Sequence, residues 1–504
     1  MADMPIGLRL FPFLTRGNST ETRYKWFKIS IFILTFLSYA SYHASRKPLS
    51  VVKSYFNRTC DGLIPPPDII INDDNRNTWC DWKPFYGAQA GTILGVLDSS
   101  FLLAYAFAMF ISGFIAERVS LRYFLAIGMI TSGISCYLFG IAYKLQIHSL
   151  WYYIIVQIFG GIVQTTGWPG VVAVMGNWFG KGKRGLIFGI WNSHTSLGNA
   201  IGTLMASAYL ETDWGLSFIV PGMVIAIVGF INFLFLVEKP EDIGFIPPNK
   251  QRNNLATSVS AESESDTECL LPQTSKREGN NGKEEAIGFY GALTIPGVIE
   301  FSLCLFFSKL VNYTFLYWLT FYIASTTSYS GTISADISTV FDFGGILGGI
   351  FAGVLSDYLN MNAVTCGIML IFSIPVLFLY NVYGTIYLWL NMLMLLIAGF
   401  LVNGPYALIT TAVSAELGTN TALLKSSKAL ATVTAIIDGT GSIGAAVGPL
   451  LAGVVYSLGN NWTNVFYMLI ASNVAALLML ARLIKKELTL IRRPEESHIS
   501  NIIL

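Results

Sequence analysis

The sequence predicts an all-α polytopic membrane protein. It places twelve transmembrane helices in two pseudo-symmetric six-helix halves, with both termini in the cytosol. Three observations carry that expectation. Only 12% of the 504 residues are charged while 53% are hydrophobic, whereas a soluble domain averages about 25% charged. Apolar runs long enough to cross about 30 Å of hydrocarbon, roughly 20 residues each, recur along the whole chain. Basic residues gather in alternate connections. A mean hydropathy of +0.57 over this length does not describe one soluble core, since such cores stop growing near about 250–300 residues. General disorder is excluded by the 14% of aromatic residues. A net charge of +1 gives nucleic acid nothing to bind.

Taken in order, residues 1–26 form a cytosolic N-terminal segment with Arg9, Arg16, Arg23 and Lys25. The N-terminal half, 27–239, holds runs at 27–55, 91–114, 121–143, 150–176, 185–210 and 214–237. The first run is too long for a signal peptide and lacks a small-residue cleavage site. Residues 57–90 form a lumenal loop. Residues 240–285, rich in Glu, Ser, Asn, Thr, Pro and Lys, are too polar to bury a core and form a disordered cytosolic linker. The C-terminal half, 286–482, holds runs at 293–323, 334–356, 361–381, 386–414, 427–456 and 462–482, and 483–504 is a cytosolic tail. Arg118 with Arg122, Lys181 with Lys183 and Arg184, and Lys425 with Lys428 all fall on the cytosolic side, as the positive-inside rule requires. Only the long first external loop departs from that pattern, with Arg58, Arg76 and Lys83.

That loop carries Cys60 and Cys80, which an oxidising lumen would join, the alternative being two free thiols. Asn57 and Asn461 head glycosylation sequons on the same side. Cys136, Cys304 and Cys366 read as small apolar helix residues. No Cys/His cluster has metal-ligand spacing, so neither a metal nor a cofactor is expected.

The halves echo each other. Ser112-Gly-Phe-Ile-Ala-Glu117 and Ala352-Gly-Val-Leu-Ser-Asp357 both set a glycine four residues before a carboxylate at a cytosolic helix end, and Phe101 and Phe341 keep the same offset. Gly167-Trp-Pro169 and Asn403-Gly-Pro405 form a weaker echo. Carriers are commonly built from such repeats, with substrate near the midplane. Glu117, Arg118 and Asp357 are the expected cytosolic gate contacts.

An ionisable group at bilayer depth costs about 2.5–3.5 kcal/mol, so each needs a reason. Span 1 places Arg46 and Lys47 there, with Tyr42 and His43 one turn below them. Span 7 adds Lys309, followed by Asn312, Tyr313 and Tyr317, and span 5 adds Trp191-Asn192-Ser193-His194. Asp438 is the one carboxylate placed securely deep, whereas Asp98 and Asp342 have uncertain depth. The excess positive charge calls for an anionic ligand unless the span 1 cations snorkel to the outer surface. Phosphate fits better than carboxylate, because it offers three acceptor oxygens to an arginine fork and a lysine point charge. The expected phosphate ligands are Arg46, Lys47 and Lys309. Tyr42, His43, Trp168, Asn192, His194, Asn312, Tyr313 and Asp438 complete the pocket.

Two other patterns carry less. Gly180-Lys-Gly-Lys-Arg-Gly185 lacks the spacing of a phosphate-binding loop and follows no strand, so it reads as an orienting basic loop. Gly344-Gly-Ile-Leu-Gly-Gly349 reads as a close helix contact. No nucleophile, base and acid group together, so no enzyme is expected.

Tyr42-His-x-Ser-Arg-Lys-Pro48, Gln164-Thr-Thr-Gly-Trp-Pro169, Gly176-Asn-Trp-Phe-Gly-Lys-Gly-Lys-Arg-Gly185, Trp191-Asn-Ser-His-Thr-Ser196, Phe315-Leu-Tyr-Trp318, Asn403-Gly-Pro-Tyr-Ala-Leu-Ile409 and Asp438-Gly-Thr-Gly-Ser-Ile-Gly444 are specific together. Through them the chain resembles the organophosphate:phosphate antiporters of the major facilitator superfamily. Over nearly its whole length it resembles the eukaryotic sugar phosphate exchangers, particularly the first and second vertebrate members. The resemblance implies exchange of glucose 6-phosphate or inorganic phosphate for phosphate, in the endoplasmic reticulum or a related membrane. It leaves open another organophosphate, such as glycerol 3-phosphate or phosphoenolpyruvate, and a non-transporting sensor. The bacterial relatives in that group grip phosphate with one arginine from span 1 and one from span 7. Arg46 matches the first; Asn312 stands in place of the second, with Lys309 one turn earlier. The span 5 histidine of glycerol phosphate exchangers aligns with Thr195, one place after His194.

Overall fold

The computed structural model describes residues 4–10, 20–58, 60, 65, 71–73, 75–76, 78–87, 89–116, 118–179, 190–245, 289–414, 417, 429–459 and 461–492. The regular elements among these residues are all helices, joined by turns and loops, without strands. Glu117, Thr59, the basic loop at 181–184, Lys425, Lys428, most of the linker and the end of the tail lie outside the described residues.

The N-terminal half comprises α1 (Ile6–Leu10), α2 (Thr20–Arg46), α3 (Pro48–Phe56), α4 (Ala90–Ala116), α5 (Leu121–Lys144), α6 (Leu150–Gln164), α7 (Gly167–Phe179), α8 (His194–Ser207) and α9 (Trp214–Phe235). The C-terminal half comprises α10 (Phe289–Leu293), α11 (Val298–Thr326), α12 (Gly331–Leu359), α13 (Asn362–Tyr383), α14 (Leu388–Leu408), α15 (Ala429–Gly459) and α16 (Trp462–Arg492). Ten helical stretches are long and apolar enough to cross a membrane. The other two expected spans are the first, which is charged and broken, and the fifth, of which α8 supplies 14 residues. Two boundaries move. The linker's first residues form a 3-10 turn, Pro240–Ile243, and Phe245 packs against Tyr24 and Phe27. The last helix runs ten residues past the expected tail boundary, to Arg492.

Three breaks shape the middle of the bundle. Pro48 opens α3 at a position where its missing N–H costs nothing, so span 1 restarts after Lys47. Span 4 is interrupted between α6 and α7, just before Trp168 and Pro169. Pro405 lies inside α14, which passes into a π-turn at Ile409–Val413. The first two breaks fall beside residues expected in the site, Lys47 and Trp168.

The repeat is visible in packing. A Cβ at Gly161 would strike the Phe101 carbonyl in one half, and a Cβ at Gly399 would strike the Phe341 carbonyl in the other. Gly344 and Gly348 press on α14, as the glycine run suggested. Gly113 and Gly353, from the stronger sequence echo, behave otherwise: a Cβ at either would meet no atom of the described residues within 4 Å.

The halves meet from the middle of the bundle to the end that carries the Cys60–Cys80 loop, here the disulfide end. Thr92 N donates to Ser457 Oγ at 2.9 Å, Ser99 Oγ to the Ala446 carbonyl at 2.9 Å, and Ser207 Oγ to Asp336 at 2.8 Å. At the opposite, linker end, Asp357 is exposed, and a Cβ at Gly113 or Gly353 would meet no atom of the described residues within 4 Å. The seam is therefore sealed at the disulfide end.

Candidate anion-binding site

Arg46 ends α2 at the span 1 break and is only 6% exposed, so it does not snorkel. Its Nε donates to Gln164 Oε1 at 2.7 Å, and Gln164 Nε2 in turn donates to Ser45 Oγ at 3.0 Å. The guanidinium lies 4.8 Å from the Tyr105 ring centroid and 5.8 Å from that of Phe101. Tyr39, Tyr313 and Tyr317 are also within electrostatic reach. No carboxylate pairs with it among the described residues, and its Nη2 is buried without a partner. A guanidinium in that state is costly.

Lys309 faces it from the other half. Its Nζ donates to Asp438 Oδ1 at 2.7 Å and lies 5.7 Å from the Tyr406 ring. The lysine side chain is 5% exposed and the aspartate 22%, so the carboxylate is the wetter partner. Tyr105 and Tyr406 each interact electrostatically with both Arg46 and Asp438, which joins the two cations into one tyrosine-lined site.

Lys47 points elsewhere. Neighbours on a helix diverge by about 100°, and the break at Lys47 adds to that. Its Nζ donates to the Leu316 carbonyl at 3.2 Å and lies 4.0 Å from Asp342. Asp342 also accepts from Asn199 Nδ2 at 3.2 Å, and Asn199 Oδ1 meets His43 Nδ1 at 3.1 Å. Lys47 and His43 are thus occupied in a chain of bonds that ties the halves together. The structure does not bring Lys47 together with Arg46 and Lys309.

The carboxylate inventory needs correcting. Asp438 is not alone at depth: Asp98 and Asp342 are 0% and 4% exposed. Asp98 pairs with Lys53, a residue the sequence reading did not single out. In the middle of the bundle, among the described residues, the three lysines each have an aspartate and Arg46 has none. The surplus of positive charge is real but smaller than expected, and it sits on one side chain.

The remaining candidates divide. His194 is fully buried, its Nδ1 3.2 Å from Thr195 Oγ1 and its Nε2 unpartnered. It packs edge-on to Tyr39 and Trp191, with Trp168 stacked on Trp191 at 6.0 Å. Trp168 and His194 therefore line an aromatic wall around Tyr39, two turns before Arg46 at the end of α2, and Tyr313 borders the site. Tyr42 is fully buried and bonds Thr166 Oγ1 at 2.8 Å, bracing α2 against the span 4 break. Asn312 donates to Asn403 Oδ1 at 2.5 Å, a tie between α11 and α14. Asn192 is half-buried. Arg118 and Asp357 are not brought into an ion pair with each other, and Glu117 lies outside the described residues. Cys60 and Cys80 form a disulfide with Cα atoms 5.6 Å apart.

Residues 31–433 match the family model described as Major Facilitator Superfamily. The chain belongs to the Major Facilitator Superfamily. Within it, the chain is 55% identical over 489 residues to the zebrafish (Danio rerio) glucose-6-phosphate exchanger SLC37A2, covering 97% of each chain. It is 52% identical to the human SLC37A2 exchanger, over 93% of this chain and 94% of that one. Identity to the mouse exchanger SLC37A1 is 47%, covering 97% of each chain. Among solved structures, a bacterial homologue of the human lysosomal transporter Spinster, inward-facing and unoccupied, superposes with a TM-score of 0.60 at 15% identity, covering 94% of this chain and 99% of that one. A D-xylose–proton symporter does so with a TM-score of 0.57 at 12% identity, covering 90% and 97%. At such identity these two establish the superfamily fold alone.

In superfamily terms the first and seventh spans supply Arg46 and Lys309, and the eleventh supplies Asp438. Sequence reasoning missed Tyr39, Tyr105 and Tyr406, because a tyrosine in an apolar span carries no cost that flags it. Lys53 had a signal: it lies seven residues, two helical turns, beyond Arg46 and so shares its face.

Proposed function

We propose that this chain is a phosphate-linked sugar-phosphate antiporter. It exchanges glucose 6-phosphate or inorganic phosphate for inorganic phosphate by alternating access, and it supplies no catalytic chemistry. The observation that carries this is Arg46, buried at the seam of two halves, with an unpartnered Nη2 and no carboxylate partner among the described residues. A phosphoryl group gives the fork two acceptor oxygens and cancels the local surplus charge. Lys309 takes the third oxygen as Asp438 yields it, and Tyr105, Tyr313, Trp168 and His194 border the sugar. The membrane is that of the endoplasmic reticulum or a related compartment. The linker end faces the cytosol and the disulfide end the lumen, where the disulfide persists and the exposed Asn461 is the better sequon than the half-buried Asn57.

Proteoliposomes preloaded with phosphate test the reading. Labelled phosphate should enter in exchange, and glucose 6-phosphate should compete better than glycerol 3-phosphate or phosphoenolpyruvate. Arg46→Ala loses two charge-assisted bonds of about 1.5–3 kcal/mol each, which predicts at least a hundredfold loss of exchange. Binding of phosphate without trans-stimulated flux would instead identify a sensor.

A further inference from the structure

Lys53 and Asp98 are both fully buried, and neither has a place in the site described above. The ammonium group is held three ways. Asp98 comes from α4, in the same half as Lys53. The other two partners come from α11, in the opposite half: the Tyr317 carbonyl at 3.1 Å and the Trp318 ring, whose centroid is 4.1 Å away. Trp318 is itself fixed, since its Nε1 donates to the Pro449 carbonyl of α15 at 3.0 Å. That carbonyl is the surface Gly95 of α4 approaches, a Cβ there lying 3.0 Å from it. Lys53 thus sits where α3, α4, α11 and α15 converge at the disulfide end.

The pseudo-symmetric position behaves differently. Asp98 and Ser338 keep the 240-residue offset of the repeat, and Ser338 Oγ lies 3.1 Å from Thr320 Oγ1, both buried. One half cross-links its first two spans with charge and reaches across the seam; the other uses two hydroxyls and does not. Packing alone would be served by hydroxyls on both sides. Separation of the halves at this end leaves Lys53 with Asp98 but breaks both bonds to α11. Tyr317 also borders the Arg46 guanidinium, so the same turn of α11 serves the latch and the site.

We propose that Lys53 is a positioning residue for exchange. It latches the Tyr317–Trp318 turn to the first half while the disulfide end is closed, and its release accompanies opening of the site toward that end. This rests on the antiporter reading and adds the element that sets its sidedness. The test uses the full chain in liposomes, with Ser99→Cys as a reporter at the sealed seam and Cys136, Cys269, Cys304 and Cys366 replaced by Ser. Lys53→Met/Asp98→Asn removes the latch without stranding a buried charge. It should raise labelling of the reporter by an impermeant thiol reagent from the disulfide side at least tenfold. Half-saturating phosphate should fall at that face relative to the linker face, and Lys53→Arg should restore both. Trp318→Leu, which leaves the ion pair intact, should raise labelling in the same direction. Unchanged labelling in both variants, or half-saturation moving equally at the two faces, overturns the latch. Labelling requires no transported ligand, so a wild-type chain without exchange would defeat the antiporter reading and leave the latch to be judged on accessibility.

Discussion

Replacing Asp438 by Asn tests whether Lys309 is a phosphate ligand held in reserve. The carboxylate sits 2.7 Å from Nζ, and the lysine is 5% exposed. Removing one partner of a buried pair costs about 3–5 kcal/mol, because the other charge is left stranded. Asp438 is 22% exposed, so water relieves part of this and the lower end, about 3 kcal/mol, applies. An arriving phosphate would restore that energy to the variant, whereas in the parent it must first displace Asp438. The difference corresponds to about a hundredfold tighter phosphate binding. Thermal denaturation of the purified protein across a phosphate titration reads this directly. The variant should melt below the parent without phosphate and gain more from it, with half-saturation falling ten- to a hundredfold. Its exchange should slow, since tightly held phosphate leaves reluctantly. Unchanged or weaker phosphate affinity would refute the reasoning, because Lys309 would then be a structural partner of Asp438 and nothing more.

The other predictions concern Lys47, a buried cation outside the site, and the loop at the disulfide end. Asp342→Asn leaves Lys47 buried at 3% side-chain exposure without its carboxylate; it should lower the melting temperature while leaving half-saturating phosphate within about threefold, as calorimetry and exchange kinetics can separate. Cys60→Ser opens a loop with a 20-residue separation, for which chain entropy gives about 3 kcal/mol, so limited proteolysis should cut within 57–90 while the helices stay intact. In the same loop, burial raises the Asp81 carboxyl from 3.8 to about 6 against the opposing pull of Arg58. The folded loop then holds a proton more firmly than the unfolded one, its stabilisation is complete below about pH 4 and is lost as pH rises through 6. Proteolysis by an acid-tolerant protease should be slower at pH 5 than at pH 7.5, a difference that Asp81→Asn removes.

The sequence was most legible where physics imposes a cost. Twelve runs could be read because hydrocarbon thickness sets a length, and Arg46, Lys47, Lys309 and Asp438 stood out because charge at depth is expensive. What a linear reading lacked was direction. Arg46 and Lys47 are adjacent in the chain, yet the break before Pro48 and the turn of the helix send one to Gln164 and the other to Leu316. Asp98 and Asp342 were of uncertain depth because span ends are uncertain by several residues, and that hid two of the three ion pairs. Gly113 and Gly353 were visible as a repeat, but not as positions where a Cβ would meet no described atom.

The charge inventory explains why exchange, rather than one-way leak, follows from this architecture. With each lysine matched to an aspartate, the lysines impose little net field on the seam, and the unmatched guanidinium of Arg46 decides what the closed site requires. Moving the halves past an empty site would enclose that charge in a dry interior, where an unpaired ion costs several kcal/mol. A phosphate bound there as proposed would remove the penalty in either direction, so occupied carriers would cross and empty ones would not. Tyr39, Tyr105, Tyr313 and Tyr317 around the guanidinium soften its burial without cancelling it. A carboxylate in their place would neutralise Arg46 permanently and let the empty carrier return, uncoupling inward from outward flux.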